Sequence, residues 1–474
     1  MKRTITFLII CVLFLGNFNI INAQTTNNTD INQTYEGNYY SVWSKDFPTI
    51  SADAAIVMEA ETGSILYGKN IHNKYYPASI TKILTTLIAL ENSSMNEIVT
   101  FSRDAVFNVD LDSSRIGIDV GEELSMEQAL YGIMLESANE VSYAVAEHVG
   151  GDINTFIDMM NQKARSLGAN NSNFMNPHGL PDENHYTTPY DMALISKAAI
   201  QNNEFREITN SRTYVIPPTN IQEETRYLAN HHKFIKKDIH YDGAIGGKTG
   251  WTRASMYTLV TFAKRDGMTL ISVIMSCPNA KDQYKDTANL LNYAFDNFSL
   301  YSIDNTNTNI NKDIDFFTKY RSFFNISDSP LRLSENGNVV LPSNITIDDV
   351  KKTIELDPLE TLVEGENIIG SIVYSFDNNK LGKTDIIYDN TKSYILLNNL
   401  YLDPIEHITE SPSEINDEQE VSHEESNNPY MPIVIGVGVG LLVVIVGLLI
   451  IYRRNIKARR RRRRTRSFKY SDLN

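Results

Sequence analysis

The stretch YPASITKILTTLIAL, residues 76–90, decides how the rest of this sequence is interpreted. Its apolar residues recur at the i, i+3, i+4 and i+7 spacing of one buried helix face. Ser79 and Lys82 lie on the other face, one turn apart, among uncharged neighbours. A capping serine and a solvated lysine would explain this pair, but a solvated face usually mixes charges. The pair therefore needs to be weighed against the rest of the chain.

Two further short motifs follow. ESANE supplies Ser137 and Asn139 at a predicted break between two helices, where side chains can face a cleft. GAIGGKTGWT supplies Lys248, Thr249 and Gly250 before an apolar strand, and glycine there lets a ligand approach the strand edge closely. Each tripeptide alone is weak evidence, because such matches are common in loops and turns. Their appearance in this order with Ser-x-x-Lys is strong evidence for one shared site.

The residue types in these motifs fit a nucleophilic serine. A serine hydroxyl needs a neighbouring base to take its proton at neutral pH. A lysine one turn along the helix can reach Ser79, and it becomes a base when burial or a second cation lowers its pKa. Lys248 is the candidate for that second cation.

The two ends of the chain predict export and membrane attachment. Residues 1–23 begin with MKRTITFLIICVLFLG and offer Ala23 as a cleavage point, so they are expected to be a secretory signal peptide. Residues 431–452 carry no charge and are long enough to cross a bilayer. The arginine-rich residues 453–474 are expected to stay in the cytoplasm. Everything before Met431 is therefore expected outside the cell, on a single-pass anchor.

Charge and composition exclude several function classes. The formal net charge is −15, and 13 of the 43 Lys and Arg but only one of the 58 Asp and Glu lie in the two ends. The part between them is therefore near −27, too acidic for a general nucleic-acid binder. Cys277 is the only cysteine outside the signal, so no intrachain disulfide is expected. His178 and His185 match no strong zinc spacing, so neither a metal nor a cofactor is predicted.

The sequence between the ends divides into four segments. Residues 24–50 are rich in Asn, Thr and Tyr and are expected to form a flexible leader. Residues 51–297 mix strand and helix patterns over enough chain for a large core, which predicts an α+β domain. Residues 301–400 alternate polar and apolar runs around turns, which predicts a small all-β domain. Residues 403–430 are acidic and poor in apolar residues, which predicts a disordered stalk.

Several elements of the α+β domain are predicted individually. AAIVMEAETGSILYGKN predicts two strands joined at a Glu-Thr-Gly turn, and MYTLVTFAKRDGMTLISVIMSC predicts a hairpin that turns at Asp266-Gly267. SMEQALYGIMLESANEVSYAVAEHVGG predicts two helices, and INTFIDMMNQKARSLG predicts another that ends at Gly168.

The three motifs together resemble the set found in penicillin-binding proteins and serine β-lactamases. The sequence resembles in particular the D-alanyl-D-alanine carboxypeptidases, the low-molecular-mass penicillin-binding proteins. AAIVMEAETGSILYGKN, PASITKILTTLIALE, NPHGLPDENHYTTPYDMALI and GGKTGWT look like that family in order and spacing. The likeness covers roughly residues 50–400 and the anchor. It departs at Glu140, where Asp is more usual, and in TRASMYT, which lacks the Ala-Gly pair often seen there.

The resemblance implies a β-lactamase/DD-peptidase-like fold, an antiparallel sheet packed with helices plus a helical subdomain. The small β domain and a C-terminal transmembrane helix would follow. Ser79 would attack the carbonyl between two D-alanines, and Lys82 would take its proton. Ser137 with Lys248 would relay a proton to the leaving amine. Water would then release the acyl-enzyme.

The resemblance also implies how the substrate is held. Asn139 would hydrogen-bond the peptide stem, and Thr249 with Lys248 would bind the terminal carboxylate beside Gly250. The oxyanion would lie between the backbone N–H groups of Ser79 and Trp251. The segment NPHGLPDENHYTT is expected to form a loop that flanks the cleft. Its residues Asn176, His178 and Gly179 are expected to be structural rather than catalytic.

The implied substrate is a peptidoglycan stem peptide that ends in D-Ala-D-Ala, with β-lactam antibiotics as covalent inhibitors. A DD-endopeptidase or transpeptidase uses the same motifs and differs only in the acceptor. A β-lactamase would need a carboxylate to activate a deacylating water, and no Glu-x-x-Leu-Asn match is evident. A non-catalytic cell-surface scaffold stays open as an alternative of another class.

Overall fold

A computed structural model describes residues 39–40, 47–303, 330–335, 337–357, 362–377 and 379–391. These residues contain two six-stranded and two two-stranded antiparallel sheets. The strands are β1 Tyr39–Tyr40, β2 Ala54–Glu59, β3 Ile65–Lys69, β4 Ile98–Thr100, β5 Glu123–Ser125, β6 Thr213–Ile216, β7 Arg226–Ala229, β8 Ala244–Thr252, β9 Met256–Arg265, β10 Met268–Cys277, β11 Phe298–Ile303, β12 Leu331–Leu333, β13 Gly337–Pro342, β14 Lys351–Leu356, β15 Glu366–Phe376 and β16 Asn379–Asp389.

The nine α-helices between Lys82 and Asn297 precede the second large sheet, and a 3₁₀ turn at Ile347–Asp349 lies between two of its strands. A 3₁₀ turn at Ala78–Thr81 leads directly into the first of them. They are α1 Lys82–Asn92, α2 Arg103–Phe107, α3 Met126–Leu135, α4 Asn139–Gly150, α5 Ile153–Ser166, α6 Pro189–Gln201, α7 Asn203–Asn210, α8 Lys233–Lys236 and α9 Ala280–Asn297.

The first large sheet has the strand order β1-β3-β2-β10-β9-β8 and is covered on both faces. Alternate residues of β2 divide between two cores because successive strand residues point to opposite faces. Ile56 packs with the helices that include α1 and α3 to α7, whereas Val57 packs with α9. This double burial explains why the strand AAIVME is a continuous apolar run.

The strand order leaves β8 at the edge of the sheet, with no described strand on its outer side. β8 contains Lys248, Thr249, Gly250 and Trp251, and its inner side pairs with β9. An edge strand presents unpaired backbone groups, so an extended peptide can pair with it. The predicted hairpin of β9 and β10 is confirmed, and it turns at Asp266 with φ 47° and Gly267 with φ 84°.

The second large sheet follows α9 and has the order β11-β13-β16-β15-β14, with β12 beside β16. It encloses its own apolar core, which includes Val339, Ile372 and Ile386. The runs NVVLPSN, TIELD and NIIGSIVYSFDNNKLGKTDIIYD, in which polar and apolar residues alternate, each contain at least part of one of its strands.

Within residues 24–50, the predicted leader, the backbone of Tyr39–Tyr40 pairs with β3. Ile50 belongs to the apolar core that also contains residues of α9, and Phe47 packs against that core. The predicted signal peptide, stalk, span and basic tail lie outside the described residues. Within the described part of the chain, no helix has the length and apolar character needed to cross a bilayer.

Candidate active site

Ser79 lies in the 3₁₀ turn that precedes α1, and it is half-buried. Its side chain makes no capping hydrogen bond, so the capping explanation of this serine is wrong. The preceding residue, Ala78, has φ 51°, a left-handed conformation that is costly for a residue with a Cβ. Thr258 of β9 donates a hydrogen bond to the Pro77 carbonyl at 2.8 Å and ties the turn to the sheet.

Lys82 is fully buried, which excludes the solvated lysine. Its ammonium nitrogen Nζ lies 3.0 Å from the hydroxyl oxygen of Ser79. It also donates to Oδ1 of Asn139 and to the backbone carbonyl of His178, each at 2.6 Å. These three acceptors aim Nζ at the serine, and none of them is a carboxylate.

The surroundings of Lys82 favour its neutral form. Burial holds its pKa well below the usual value, and the nearby positive charge of Lys248 lowers it further. The carboxylate of Glu140 acts in the opposite direction but does not outweigh burial. A neutral amine within hydrogen-bond distance of a serine hydroxyl can act as a general base.

Ser137 and Asn139 lie at the predicted break between two helices. α3 ends at Leu135 and α4 begins at Asn139, so the break is confirmed. Ser137 is buried and has φ 63°, a second strained position at the site. Its hydroxyl makes no hydrogen bond to another described residue, whereas Asn139 contacts Lys82 directly. The structure therefore brings Asn139 to Lys82 and leaves the Ser137 hydroxyl unpaired.

Lys248 is buried on β8, and burial lowers its pKa to about 7 while Glu136 raises it. Its Nζ donates to the carbonyl oxygen of Thr249 at 3.1 Å. Among the described residues it makes no hydrogen bond to Ser79 or Ser137. Its link to the serine and lysine pair is electrostatic, through its effect on Lys82.

Gly250 lies where β8 approaches the serine. A Cβ added to this residue would lie 2.9 Å from the Ser79 backbone nitrogen and 2.4 Å from Oγ1 of Thr258. Only glycine leaves that space open. The next residue, Trp251, is 59% exposed, and its ring centre lies 6.1 Å from that of Tyr257.

A family model described as D-alanyl-D-alanine carboxypeptidase matches residues 41–279, half of the chain. The chain belongs to the D-alanyl-D-alanine carboxypeptidase family. It is therefore a serine peptidase that removes the terminal D-alanine from peptidoglycan peptides through an acyl-enzyme.

Similar proteins agree with this membership. The carboxypeptidase DacF of Bacillus subtilis is 28% identical over 71% of this chain and 84% of its own length. The carboxypeptidase DacB2 of Mycobacterium tuberculosis is 31% identical over 48% of this chain and 76% of its own. The DD-transpeptidase of Streptomyces K15 is 29% identical with a TM-score of 0.50, covering 53% of this chain and 99% of that one. Penicillin-binding protein 5 of Haemophilus influenzae, 24% identical, shares the fold with a TM-score of 0.56 over 73% of this chain and 99% of that one.

The loop NPHGLPDENHYTT, predicted to flank the cleft with a structural role, contacts the helix that carries Lys82. The His178 carbonyl accepts from Lys82, and the Pro177 carbonyl accepts from Oγ1 of Thr85 at 2.6 Å. Asn176 fixes the loop by accepting from the Gly179 N–H at 2.7 Å. Gly179 has φ 86°, and a Cβ there would lie 1.9 Å from the Ala78 oxygen. The NPHG sequence was the only local sign that this loop belongs to the site. The contacts are made by backbone carbonyls, and the residue types do not show which partner a carbonyl has.

The two histidines of the loop are neutral. His185 accepts from the Met175 N–H through Nδ1, so Nε2 carries the hydrogen that it donates to Oγ1 of Thr81 at 3.1 Å. Burial lowers the pKa of His185 to about 4. Burial and the charge of Lys82 hold the pKa of His178 well below its usual value. His185 therefore supports the turn that carries Ser79.

Proposed function

We propose that Ser79 is the nucleophile and Lys82 the general base of this carboxypeptidase. The observation that carries the proposal is the contact of 3.0 Å between Lys82 Nζ and Ser79 Oγ inside a buried site. A lysine paired to a carboxylate would stay protonated, whereas the hydrogen-bond acceptors of Lys82 among the described residues are all neutral. The substrate is a peptidoglycan stem peptide that ends in D-Ala-D-Ala.

The acylation step moves one proton and exchanges one bond. Ser79 Oγ bonds to the carbonyl carbon between the two D-alanines while its proton passes to Lys82. The tetrahedral intermediate then collapses, the C–N bond breaks, and the leaving amine takes up the proton. We assign the delivery of this proton to Ser137 and Lys248. Neither residue bonds to Ser79 in the structure, but catalytic hydrogen bonds are often long or absent without substrate. Water then attacks the ester, and the shortened stem peptide leaves with the former penultimate D-alanine as its free C-terminal carboxylate.

The edge of β8 is the proposed binding strand for the peptide. The N–H groups of Ser79 and Trp251 would donate to the oxyanion, because Gly250 brings the strand against the Ser79 nitrogen. Thr249 and the cation of Lys248 would hold the terminal carboxylate. Asn139 would bind the stem while its Oδ1 keeps Lys82 in place.

Penicillins would react by the same first step, because the strained amide carbonyl of a β-lactam is also attacked by a serine. The leaving nitrogen stays tethered to the acyl group, so the ester would persist long enough to be detected. Covalent labelling therefore reports acylation alone, whereas D-alanine release reports the whole cycle.

Transpeptidation is a second candidate activity. The similar Streptomyces K15 protein is named a DD-transpeptidase, and it shares the fold of this chain. Acylation is identical in both reactions, and only the acceptor of the acyl group differs, water or an amine. An acceptor amine added to the assay separates them, because a transpeptidase would form the amide product at the expense of the free acid.

We also propose that the chain is exported and held at the cell membrane. The apolar run 431–452 and the basic residues that follow support this, as does the N-terminal signal pattern. Two separate experiments test it: alkaline extraction of bacterial membranes, and protease treatment of intact cells. Loss of the catalytic part to external protease is expected, and release of the whole chain by alkali would contradict it.

The test of the proposed roles compares the wild type with Ser79→Ala and Ser93→Ala. Ser93 lies just beyond the C-terminal end of α1, the helix that follows the turn of Ser79, and Ser93→Ala serves as the control. The wild type and the control should release D-alanine from a D-Ala-D-Ala peptide, and Ser79→Ala should not. Release by Ser79→Ala at the wild-type rate would exclude Ser79 as the nucleophile.

A further inference from the structure

Glu140 is a fully buried carboxylate that the reaction described above does not use. It follows Asn139 at the start of α4. Its Oε1 accepts from the backbone N–H groups of Ile116, at 2.7 Å, and Gly117, at 3.3 Å. Its Oε2 is buried and has no hydrogen-bond partner among the described residues. An unpaired buried oxygen is costly, so its presence beside the site calls for an explanation.

The backbone segment that Glu140 holds is hydrogen-bonded to Asn139 of the site. The Ser114 carbonyl accepts from the Asn139 N–H at 2.9 Å. Arg226 donates to the carbonyls of Ile116 and Gly117 at 3.1 and 2.8 Å. Asn139 is thus fixed on its backbone by the 114–117 segment and on its side chain by Lys82. Releasing the segment would loosen the acceptor that aims Lys82 at Ser79.

Glu140 is also a negative charge that acts on Lys82. Among the described residues, the other charged group acting on Lys82 is Lys248 of β8, which disfavours the ammonium form, whereas Glu140 favours it. His178 also faces Lys82 but is neutral. Arg115 faces Glu140 from the held segment and favours its ionised form, although burial raises the pKa of Glu140. Without this carboxylate, Lys248 would be the remaining charged group of the described residues that acts on Lys82.

We propose that Glu140 is a positioning residue for acylation. One oxygen holds the 114–117 segment against Asn139, and the carboxylate carries its negative charge one residue from Asn139, whose Oδ1 accepts from Lys82. The proposal rests on the roles proposed for Ser79 and Lys82.

The experiment separates the contact from the charge. The full-length chain and its variants Glu140→Gln, Glu140→Asp and Glu147→Gln are acylated with a fluorescent penicillin across a pH series. Glu140→Gln keeps an Oε1 acceptor but loses the charge. Glu140→Asp keeps the charge but is one methylene too short for the contact. Glu147, on the same helix, accepts a hydrogen bond from Oγ of Ser102 at 2.6 Å. It is not among the charged groups that act on Lys82, so Glu147→Gln is the matched control.

Removing the charge should make Lys82 deprotonate at lower pH. The rising limb of the acylation rate of Glu140→Gln should therefore move to the acid side by roughly one pH unit. Glu140→Asp should keep the limb of the wild type and acylate about tenfold more slowly, because the segment is no longer held. Glu147→Gln should match the wild type in both respects.

Melting temperatures establish that each variant is folded. If Glu140→Gln does not fold, the tenfold slower acylation of Glu140→Asp decides the positioning role, and a wild-type rate there overturns it. Rates and limbs of both Glu140 variants that match Glu147→Gln would overturn the proposal. Equal slowing in both variants with an unmoved limb would overturn the role of the charge. A wild type that is not acylated at any pH would refute the proposed function itself.

Discussion

Replacing Gly179 by alanine tests the contact between the His178 loop and the turn that carries Ser79. The new Cβ would lie 1.9 Å from the Ala78 oxygen and 2.4 Å from its carbonyl carbon. Both neighbours are backbone atoms, so no side chain can rotate away. Relief needs a separation of about 1 Å between loop and turn, which would move the His178 carbonyl away from Lys82.

The expected magnitudes come from two sources. The left-handed φ of 86° costs an alanine about 1 kcal/mol of folding free energy. A displacement of about 1 Å in the catalytic geometry costs about 100-fold in rate. Gly151→Ala is the matched control, because Gly151 has φ 78° with no atom within 4 Å of an added Cβ. Gly151→Ala should lose the same folding free energy as Gly179→Ala through its backbone conformation, but it should keep the wild-type acylation rate.

The assay follows acylation by a fluorescent penicillin and thermal unfolding for both variants. Gly179→Ala should acylate about 100-fold more slowly than Gly151→Ala and unfold at a lower temperature. Equal acylation rates and equal unfolding temperatures would refute the argument that this close approach positions Lys82.

Further predictions concern charged groups of the same domain. Lys82→Met should slow acylation by about 1000-fold while the far-ultraviolet circular dichroism stays unchanged, because a general base is lost from a retained fold; a wild-type rate would exclude this base. The value of kcat/KM should fall as pH rises through about 7, since Lys248 then loses the charge that binds a carboxylate, and Lys248→Arg should remove that fall. Arg226→Ala should cost about 3 kcal/mol in urea unfolding, because it leaves the buried Glu122 carboxylate without its 2.6 Å partner; a loss near zero would show that the pair is not needed. The unfolding temperature should fall as pH drops from about 6.5 to about 4, because the unfolded state binds a proton on His185 that the folded state rejects, and His185→Gln should reduce this slope.

Much of the fold could be predicted because its elements carry local signals. The Asp266-Gly267 turn, the apolar face of α1 and the break at Ser137 are each encoded within a few residues. The 3₁₀ turn before α1 was not predicted, because the pattern of residues 76–90 is continuous and the irregularity arises from tertiary contacts of Pro77 and Gly179. The pairing of Tyr39–Tyr40 with β3 was missed because two residues carry no period.

The candidate site also contains some contacts that the sequence predicts and others that it does not. Ser79 and Lys82 meet because they share a helical turn, so their contact follows from spacing alone. The contacts of Lys82 with Asn139 and with the His178 carbonyl join residues that are 57 and 96 positions apart. Such contacts depend on how helices and loops pack, and a backbone carbonyl leaves no mark in the residue types. The role of Ser137 remains a prediction, since its hydroxyl contacts no described residue by a hydrogen bond.

The identity of the acylated residue tests the central claim most directly. The full-length chain is incubated with a penicillin, digested, and its peptides are analysed by mass spectrometry. We predict one penicilloyl adduct, on the Ser79 hydroxyl within the peptide that contains PASITK. An adduct on Ser137 or any other residue, with Ser79 unmodified, would contradict the account.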